Sequence, residues 1–179
     1  MYKEYDISGK GVPHLANDDL LKSSLKKFAN EDYYNSLHIS ERDGEIDPFS
    51  CYGDSVRMRL IHSSDRKEII RLLKKCFPKI TFRLSGFFIY GPGDYLSEHT
   101  NSNDPGNTMY ITYATGESSF SYRFHPSEEF VKTEDVIDDI TLRAFSLKSE
   151  GPFTHHKVDC KSGYRVSIGM RYVQIKWSL

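Results

Sequence analysis

The chain has little with which to build a covalent framework or a ready-made reaction centre. Only three cysteines occur, Cys51, Cys76 and Cys160, and none has C-x-x-C spacing. An odd number at such separations supports neither a disulfide framework nor a zinc ribbon, so reduced, partly buried thiols are expected. Long apolar runs are missing as well. The longest, around Leu84 to Tyr90, falls far short of the roughly 20 residues that cross a bilayer. The opening Met1-Tyr2-Lys3-Glu4-Tyr5-Asp6 has no apolar signal-peptide core, and a cytoplasmic protein without membrane contact is the expectation. The glycine patterns of P-loops and dinucleotide folds are absent, and so is the G-x-S-x-G elbow of acyl-transfer enzymes. Gly91-Pro92-Gly93-Asp94 reads as a tight turn rather than a phosphate cradle, because no helix opens after it. No internal repeat, linker or low-complexity tract divides the chain.

Excess charge is also lacking. The net charge is -1, which argues against wholesale electrostatic binding to nucleic acid. The distribution is nevertheless uneven. Nine Lys or Arg face two acids between Arg57 and Arg83, and nine acids face two bases between Glu98 and Asp139. Solvated faces account for both blocks, with a basic patch for an anionic partner as the minority reading.

What is present is a single domain's worth of chain, 179 residues with 12 tyrosines and 11 phenylalanines to fill a core. Residues 1–79 read as a helical and irregular support. Asp18 to Phe28 has Leu20, Leu21, Leu25 and Phe28 at helical spacing, and Val56 to His62 alternates like a half-buried strand. From Ser64-Asp65, the residues Ile69, Leu72, Leu73 and Cys76 form one apolar stripe, with Arg66, Lys67, Arg71, Lys74 and Lys75 off it. That helix should lie on a sheet with its basic side outward, ending before Pro78.

Residues 80–179 change character to short strands between turns. The predicted strands are Ile80 to Tyr90, Tyr95 to His99, Thr108 to Thr115, Ser119 to Phe124, Phe153 to Val158 and Tyr164 to Trp177, with a short element between Asp139 and Leu147. This pattern predicts a mainly β fold with N-terminal helices, a small jelly-roll barrel buttressed on one sheet.

Two separated clusters stand out within the strand-rich half: His99-Thr100-Asn101, and His156 followed by Arg165-Val166-Ser167. Residues i and i+2 of a strand share a side, so His99 and Asn101 can face one point, and His156 can arrive from a distant strand. Three ligands on one face of a ferrous ion leave room for a chelating 2-oxo acid and dioxygen. The far carboxylate of such an acid needs a buried cation with a hydroxyl beside it, which Arg165 and Ser167 offer. Any one of these residues alone is more often an ordinary core or surface side chain. Their order and separations carry the signal.

The stretches Gly93 to Asn101, Pro152 to Val158 and Arg165 to Gly169 resemble the 2-oxoglutarate and iron(II) dependent dioxygenase superfamily, closest in style to its prolyl-hydroxylase-like members. The resemblance covers roughly the C-terminal 100 residues. It implies a double-stranded β-helix of the cupin-like type, with His99, Asn101 and His156 as catalytic metal ligands. Arg165 and Ser167 would bind the cosubstrate, and Tyr113 would add a hydrogen bond. It also implies Fe(II) and 2-oxoglutarate as cofactors, and hydroxylation of a C-H bond with release of succinate and carbon dioxide.

The chain departs from that pattern at Asn101, where the family carries an acid. Three outcomes are open: ligation through the amide oxygen, a carboxylate supplied instead by Asp104 or Glu98, or a site that holds no iron. His155 neighbours His156, and only one of the two can face the metal, with the spacing to Arg165 favouring His156. Two other readings follow: a jelly-roll binding module whose metal site has degenerated, and a cupin-like metalloenzyme that does not use 2-oxoglutarate. A small molecule and a protein side chain both remain open as substrate. The basic helix permits nucleic acid only weakly, since it is expected on the outer face of the sheet. Tyr33, Tyr34 and Tyr52 could form a lid, although core packing explains them equally well.

Overall fold

Asparagine side chains start the first two helices. Asn17 Oδ1 accepts from the Leu20 amide at 2.9 Å ahead of α1 (Asp18–Lys26), and Asn30 Oδ1 accepts from the Tyr33 amide at 2.9 Å ahead of α2 (Glu31–Ser36). Each cap satisfies an amide that the first turn leaves unpaired, an effect of about 1 kcal/mol. The third helix, α3 (Ser63–Cys76), has no side-chain cap and stops just before Pro78. The computed structural model describes residues 2–7, 9, 11–42 and 56–174. Cys51, Tyr52 and Trp177 lie outside these described residues. Sequence reading did not anticipate α2, whose six residues EDYYNS are too few to show a helical period.

The strands are β1 (Lys3–Asp6), β2 (Ile39–Arg42), β3 (Val56–Leu60), β4 (Ile80–Tyr90), β5 (Tyr95–His99), β6 (Gly106–Ala114), β7 (Ser118–Arg123), β8 (Val131–Glu134), β9 (Asp139–Leu147), β10 (His155–Cys160) and β11 (Arg165–Gln174). They form one 11-stranded sheet in the order β1-β9-β6-β11-β4-β3-β5-β10-β7-β8, with β2 beside β3. Strand β3 pairs with both β4 and β5 and so bridges the two halves. The segment 1–79 therefore contributes strands as well as helices.

The sheet curls until its far ends meet. Arg143 of β9 donates from Nη2 to the Thr133 carbonyl of β8 at 2.9 Å and from Nε to Thr133 Oγ1 at 2.8 Å. Tyr5 of β1 donates to the Glu134 carbonyl at 3.3 Å. The result is the expected mainly β jelly roll of the cupin-like type.

Alternation along each strand gives the curled sheet two chemistries. The outward residues Ile111, Tyr113, Leu142 and Ile168 are buried beneath the helices, against Leu21, Leu25, Ile69 and Leu73. Each fully buried Leu or Ile contributes about 1.5–3 kcal/mol. The inward residues Tyr90, Phe120, Phe145 and Val158 form a second cluster within the barrel. Arg66, Lys67, Arg71, Lys74 and Lys75 are exposed on α3, on the solvent side of the helix layer. Tyr33 and Tyr34 bond to Asp65 and Asp94, each at 2.6 Å, and pack in or against the helical core rather than over the barrel. Among the described residues no helix is long and apolar enough to cross a membrane.

Candidate functional site

Pairing of β10 with β5 sets His156 directly opposite His99, inside the barrel. Their ring centroids are 4.1 Å apart. Each imidazole is held from behind by a backbone carbonyl: His99 Nδ1 lies 2.8 Å from the Ser97 oxygen, and His156 Nδ1 lies 3.1 Å from the Thr154 oxygen. A carbonyl only accepts, so each Nδ1 carries the proton and each Nε2 keeps a lone pair. Burial pushes the His99 pKa down to about 4. Burial also holds His156 well below the usual histidine range, with the neighbouring His99 acting in the same direction. Both rings are neutral at pH 7, oriented and basic at Nε2, which is how proteins prepare imidazole to ligate a metal.

Asn101 stands beyond the end of β5 with φ 51°, a left-handed conformation that Asn and Asp tolerate better than other side chains. Its Nδ2 is 3.3 Å from His156 Nε2 and 3.3 Å from Tyr110 Oη. Tyr110 Oη in turn lies 3.1 Å from His156 Nε2 and donates to it, because that nitrogen has no proton of its own. Rotating the Asn101 amide by 180° exchanges its nitrogen for its oxygen at the same place.

Tyr110, not the predicted Tyr113, is the tyrosine at this site. Tyr113 is three positions along β6 and therefore on the opposite face, buried beneath the helices with its hydroxyl 3.1 Å from Asp138. Strand parity is the signal that separates the two, once the register of β6 is known.

The neighbouring His155 points to the outer face, 3.0 Å from Glu98 Oε1. Glu98 also takes two guanidinium nitrogens of Arg123 at 2.7 to 2.9 Å. Glu98 is thus turned away from the His99–His156 pair. Asp104 does border the cavity, but Arg83 and Arg171 hold it there as an ion-paired group. Among the described residues no three His, Cys, Asp or Glu side chains gather as a metal-binding group. The donors present are two imidazole nitrogens and one amide: two strong ligands and a weak, neutral third. They fit a divalent transition metal whose remaining positions are filled by an anionic chelator.

Arg165 lies at the closed end of the barrel and is fully buried. Its Nε donates to Asp135 Oδ2 at 2.8 Å and its Nη2 to Thr112 Oγ1 at 3.1 Å, while the buried Nη1 has no hydrogen-bond partner among the described residues. Asp135 also accepts from Arg143 at 2.6 Å and from Ser118 at 2.6 Å. Burial alone would raise the Asp135 carboxyl, but Arg165 and Arg143 hold it well below the usual carboxylate range. Two arginines around one aspartate leave one positive charge in the interior, with an orphaned donor on Arg165. Sequence reading missed Asp135 and Arg143, since nothing local marks an acid after one strand as the partner of cations on two others.

A cavity of about 610 Å³ opens over the histidine pair. Ser167, the second predicted cosubstrate residue, lines it together with His99, Asn101, His156 and Tyr110, whereas Arg165 lies behind the wall. Arg171 also lines it, two steps of strand parity beyond Ser167. The same parity, Arg165-x-Ser167-x-Gly169-x-Arg171, could have found this second arginine in the sequence. Cys76 and Cys160 are free and buried. Burial pushes the Cys160 thiol up to about 12, which suits a structural cysteine rather than a nucleophile.

Several solved structures resemble this chain distantly. A Pseudomonas putida prolyl-4-hydroxylase is 12% identical, with a TM-score of 0.47 over 92% of this chain and 91% of that chain. An oxidoreductase of the 2OG-Fe(II) oxygenase family from Burkholderia pseudomallei is 9% identical, with a TM-score of 0.45 over 99% of this chain and 98% of that chain. The cupin domain of Drosophila melanogaster CENP-C is 9% identical, with a TM-score of 0.33 over 84% of this chain and 79% of that chain. No protein-family model and no curated protein matches the chain.

Proposed function

We propose that this protein is an oxygenase that binds ferrous iron and 2-oxoglutarate in the barrel and hydroxylates a C-H bond. The observation that carries this reading is the His99–His156 pair, with both Nδ1 positions pinned to backbone carbonyls and both Nε2 lone pairs unprotonated in one buried cavity. His99 and His156 would hold the metal through Nε2, with the Asn101 amide oxygen as the third protein ligand. Loaded with iron and 2-oxoglutarate, such a site couples conversion of the 2-oxo acid and dioxygen to succinate and carbon dioxide with transfer of one oxygen atom into a C-H bond.

The residues of this chain bind, orient and desolvate. Because no carboxylate ligand stands at the pair among the described residues, the negative charge that balances the metal would come from the 2-oxo acid itself. Metal affinity should therefore depend strongly on that acid. Ser167 supplies a hydroxyl at the cavity wall, and Arg165 supplies the positive field behind it through its unpartnered Nη1. Phe120 and Phe145 pack against His156, with ring centroids 5.4 and 5.6 Å away, and keep bulk water from its rear face.

A second reading is favoured by the ion pair of Arg165 with Asp135 and by the amide at Asn101: a jelly-roll module that binds an anionic ligand without metal. Anaerobic titration of the protein with ferrous iron, with and without 2-oxoglutarate, separates the two. The oxygenase reading expects a weak visible charge-transfer band that requires both components and saturates. If iron fails to bind in the presence of 2-oxoglutarate, the binding-module reading takes its place.

A further inference from the structure

A second Arg–Asp–Arg cluster stands at the open end of the same cavity. Asp104 is ion-paired with Arg83 and with Arg171, whose Nε lies 3.4 Å from Asp104 Oδ2. Two cations share one anion, so the cluster carries one uncompensated positive charge. Unlike the cluster at the closed end, this one meets solvent: the Arg83 side chain is 61% exposed and that of Asp104 is 30% exposed, while Arg171 is 8% exposed.

Arg171 is built into the wall rather than waving from it. Its Nε donates to the Asp104 carbonyl at 2.8 Å and its Nη1 to Ser85 Oγ at 3.2 Å. Among the described residues Nη2 makes no hydrogen bond. A guanidinium fixed along one edge and unbonded at the other is preorganised to receive an anion.

The register of β11 fixes the order of groups along the cavity. Gly169 pairs with Tyr110, which touches His156, so this level marks the histidine pair. Arg165 is four residues from it toward the closed end, about 13 Å along the strand, and Arg171 is two residues toward the mouth, about 7 Å. The two arginines therefore flank the histidines from opposite ends. Between them the wall is largely apolar, with Met58, Phe88, Leu96 and Val158.

We propose that the primary substrate is a small carboxylic acid with an apolar body, whose carboxylate is received by Arg171 at the cavity mouth. The single excess charge of the Arg83–Asp104–Arg171 cluster matches a monoanion better than a doubly charged phosphate. The apolar wall takes up the body of the acid and brings its C-H bonds to the level of His99 and His156. The placement of those bonds rests on the oxygenase reading, whereas carboxylate recognition by Arg171 does not require it.

The test compares binding of hexanoate, hexanamide and hexyl phosphate to the metal-free protein by ligand-observed NMR, in the wild type and in Arg171→Gln and Arg171→Lys. Hexanoate should bind about tenfold or more tightly than hexanamide, the difference expected from one charge-assisted contact. Hexyl phosphate should bind no better than hexanoate. Arg171→Gln should erase the preference for hexanoate over hexanamide, and Arg171→Lys should keep part of it. Arg83→Gln, at an exposed position, should reduce the preference and serves if Arg171→Gln does not fold. Equal binding of hexanoate and hexanamide, no binding of either, or a preference unchanged in these variants would overturn the proposal. Loss of the iron and 2-oxoglutarate band with the hexanoate preference intact would sink the oxygenase reading and leave the carboxylate site standing.

Discussion

His156 faces His99 across the β5–β10 pair with ring centroids 4.1 Å apart, and neither ring is turned to bond the other through Nδ1. Two neutral imidazoles at this distance, each tied back to a carbonyl, present two lone pairs to one buried space. Hydrogen bonding to Tyr110 and Asn101 satisfies one of them. Cation binding and this hydrogen-bonded arrangement therefore compete for the same nitrogen.

Substituting Asn101→Asp should tighten binding of Fe(II), or of Mn(II) as a probe, by about tenfold or more, since a carboxylate replaces a neutral amide beside a dication. The left-handed backbone at this position accepts Asp as it does Asn. Titration followed by paramagnetic resonance of Mn(II) reads the change, and an unchanged affinity would remove residue 101 from the ligand set.

Tyr110→Phe takes away the hydroxyl that occupies His156 Nε2. Breaking one hydrogen bond of about 1 kcal/mol then no longer opposes metal binding, so affinity should rise several-fold. Weaker binding in this variant would indicate that the tyrosine supports the metal instead of competing with it.

Acid should destabilise the protein through the same pair. An unfolded histidine titrates near its ordinary value of about 6.5, whereas folded His99 titrates at about 4 and burial holds His156 well below its ordinary value. Between these values the unfolded state binds more protons, so stability is fully present above about pH 6.5 and falls as the pH drops toward 4. The slope should approach about 1.4 kcal/mol per pH unit for each histidine. Urea midpoints measured across this window should fall steeply in the wild type and less so in His99→Gln.

Removing either member of the buried pair Asp135–Arg165 should have unequal costs. Asp135→Ala leaves two arginines buried together without a counter-charge and should lower stability by about 3–5 kcal/mol. Arg165→Met leaves the neutral Arg143–Asp135 pair and fills much of the same volume, so it should fold with a smaller loss. It should also abolish 2-oxoglutarate binding while sparing the metal. Urea unfolding orders the two variants, and calorimetry with 2-oxoglutarate tests the second claim. Retention of cosubstrate affinity in Arg165→Met would remove Arg165 from cosubstrate binding.

The sequence by itself determined the local and periodic features. The turn signals that bound Ile80–Tyr90 and Tyr95–His99 give β4 and β5 at their observed ends, and the apolar stripe Ile69, Leu72, Leu73, Cys76 gives α3 with its basic side outward. The His99, His156 and Ser167 positions were legible because strand parity and order in the chain survive folding. Tertiary structure alone decided which neighbour crosses the barrel. It chose Tyr110 over Tyr113, bound Arg165 to Asp135, turned Glu98 toward Arg123, and set Arg171 in the cavity wall. The physical reason is that period and turn chemistry act over a few residues. Charge pairing in a curled sheet depends on strand register and on which ends of the sheet meet, and those contacts join residues dozens of positions apart.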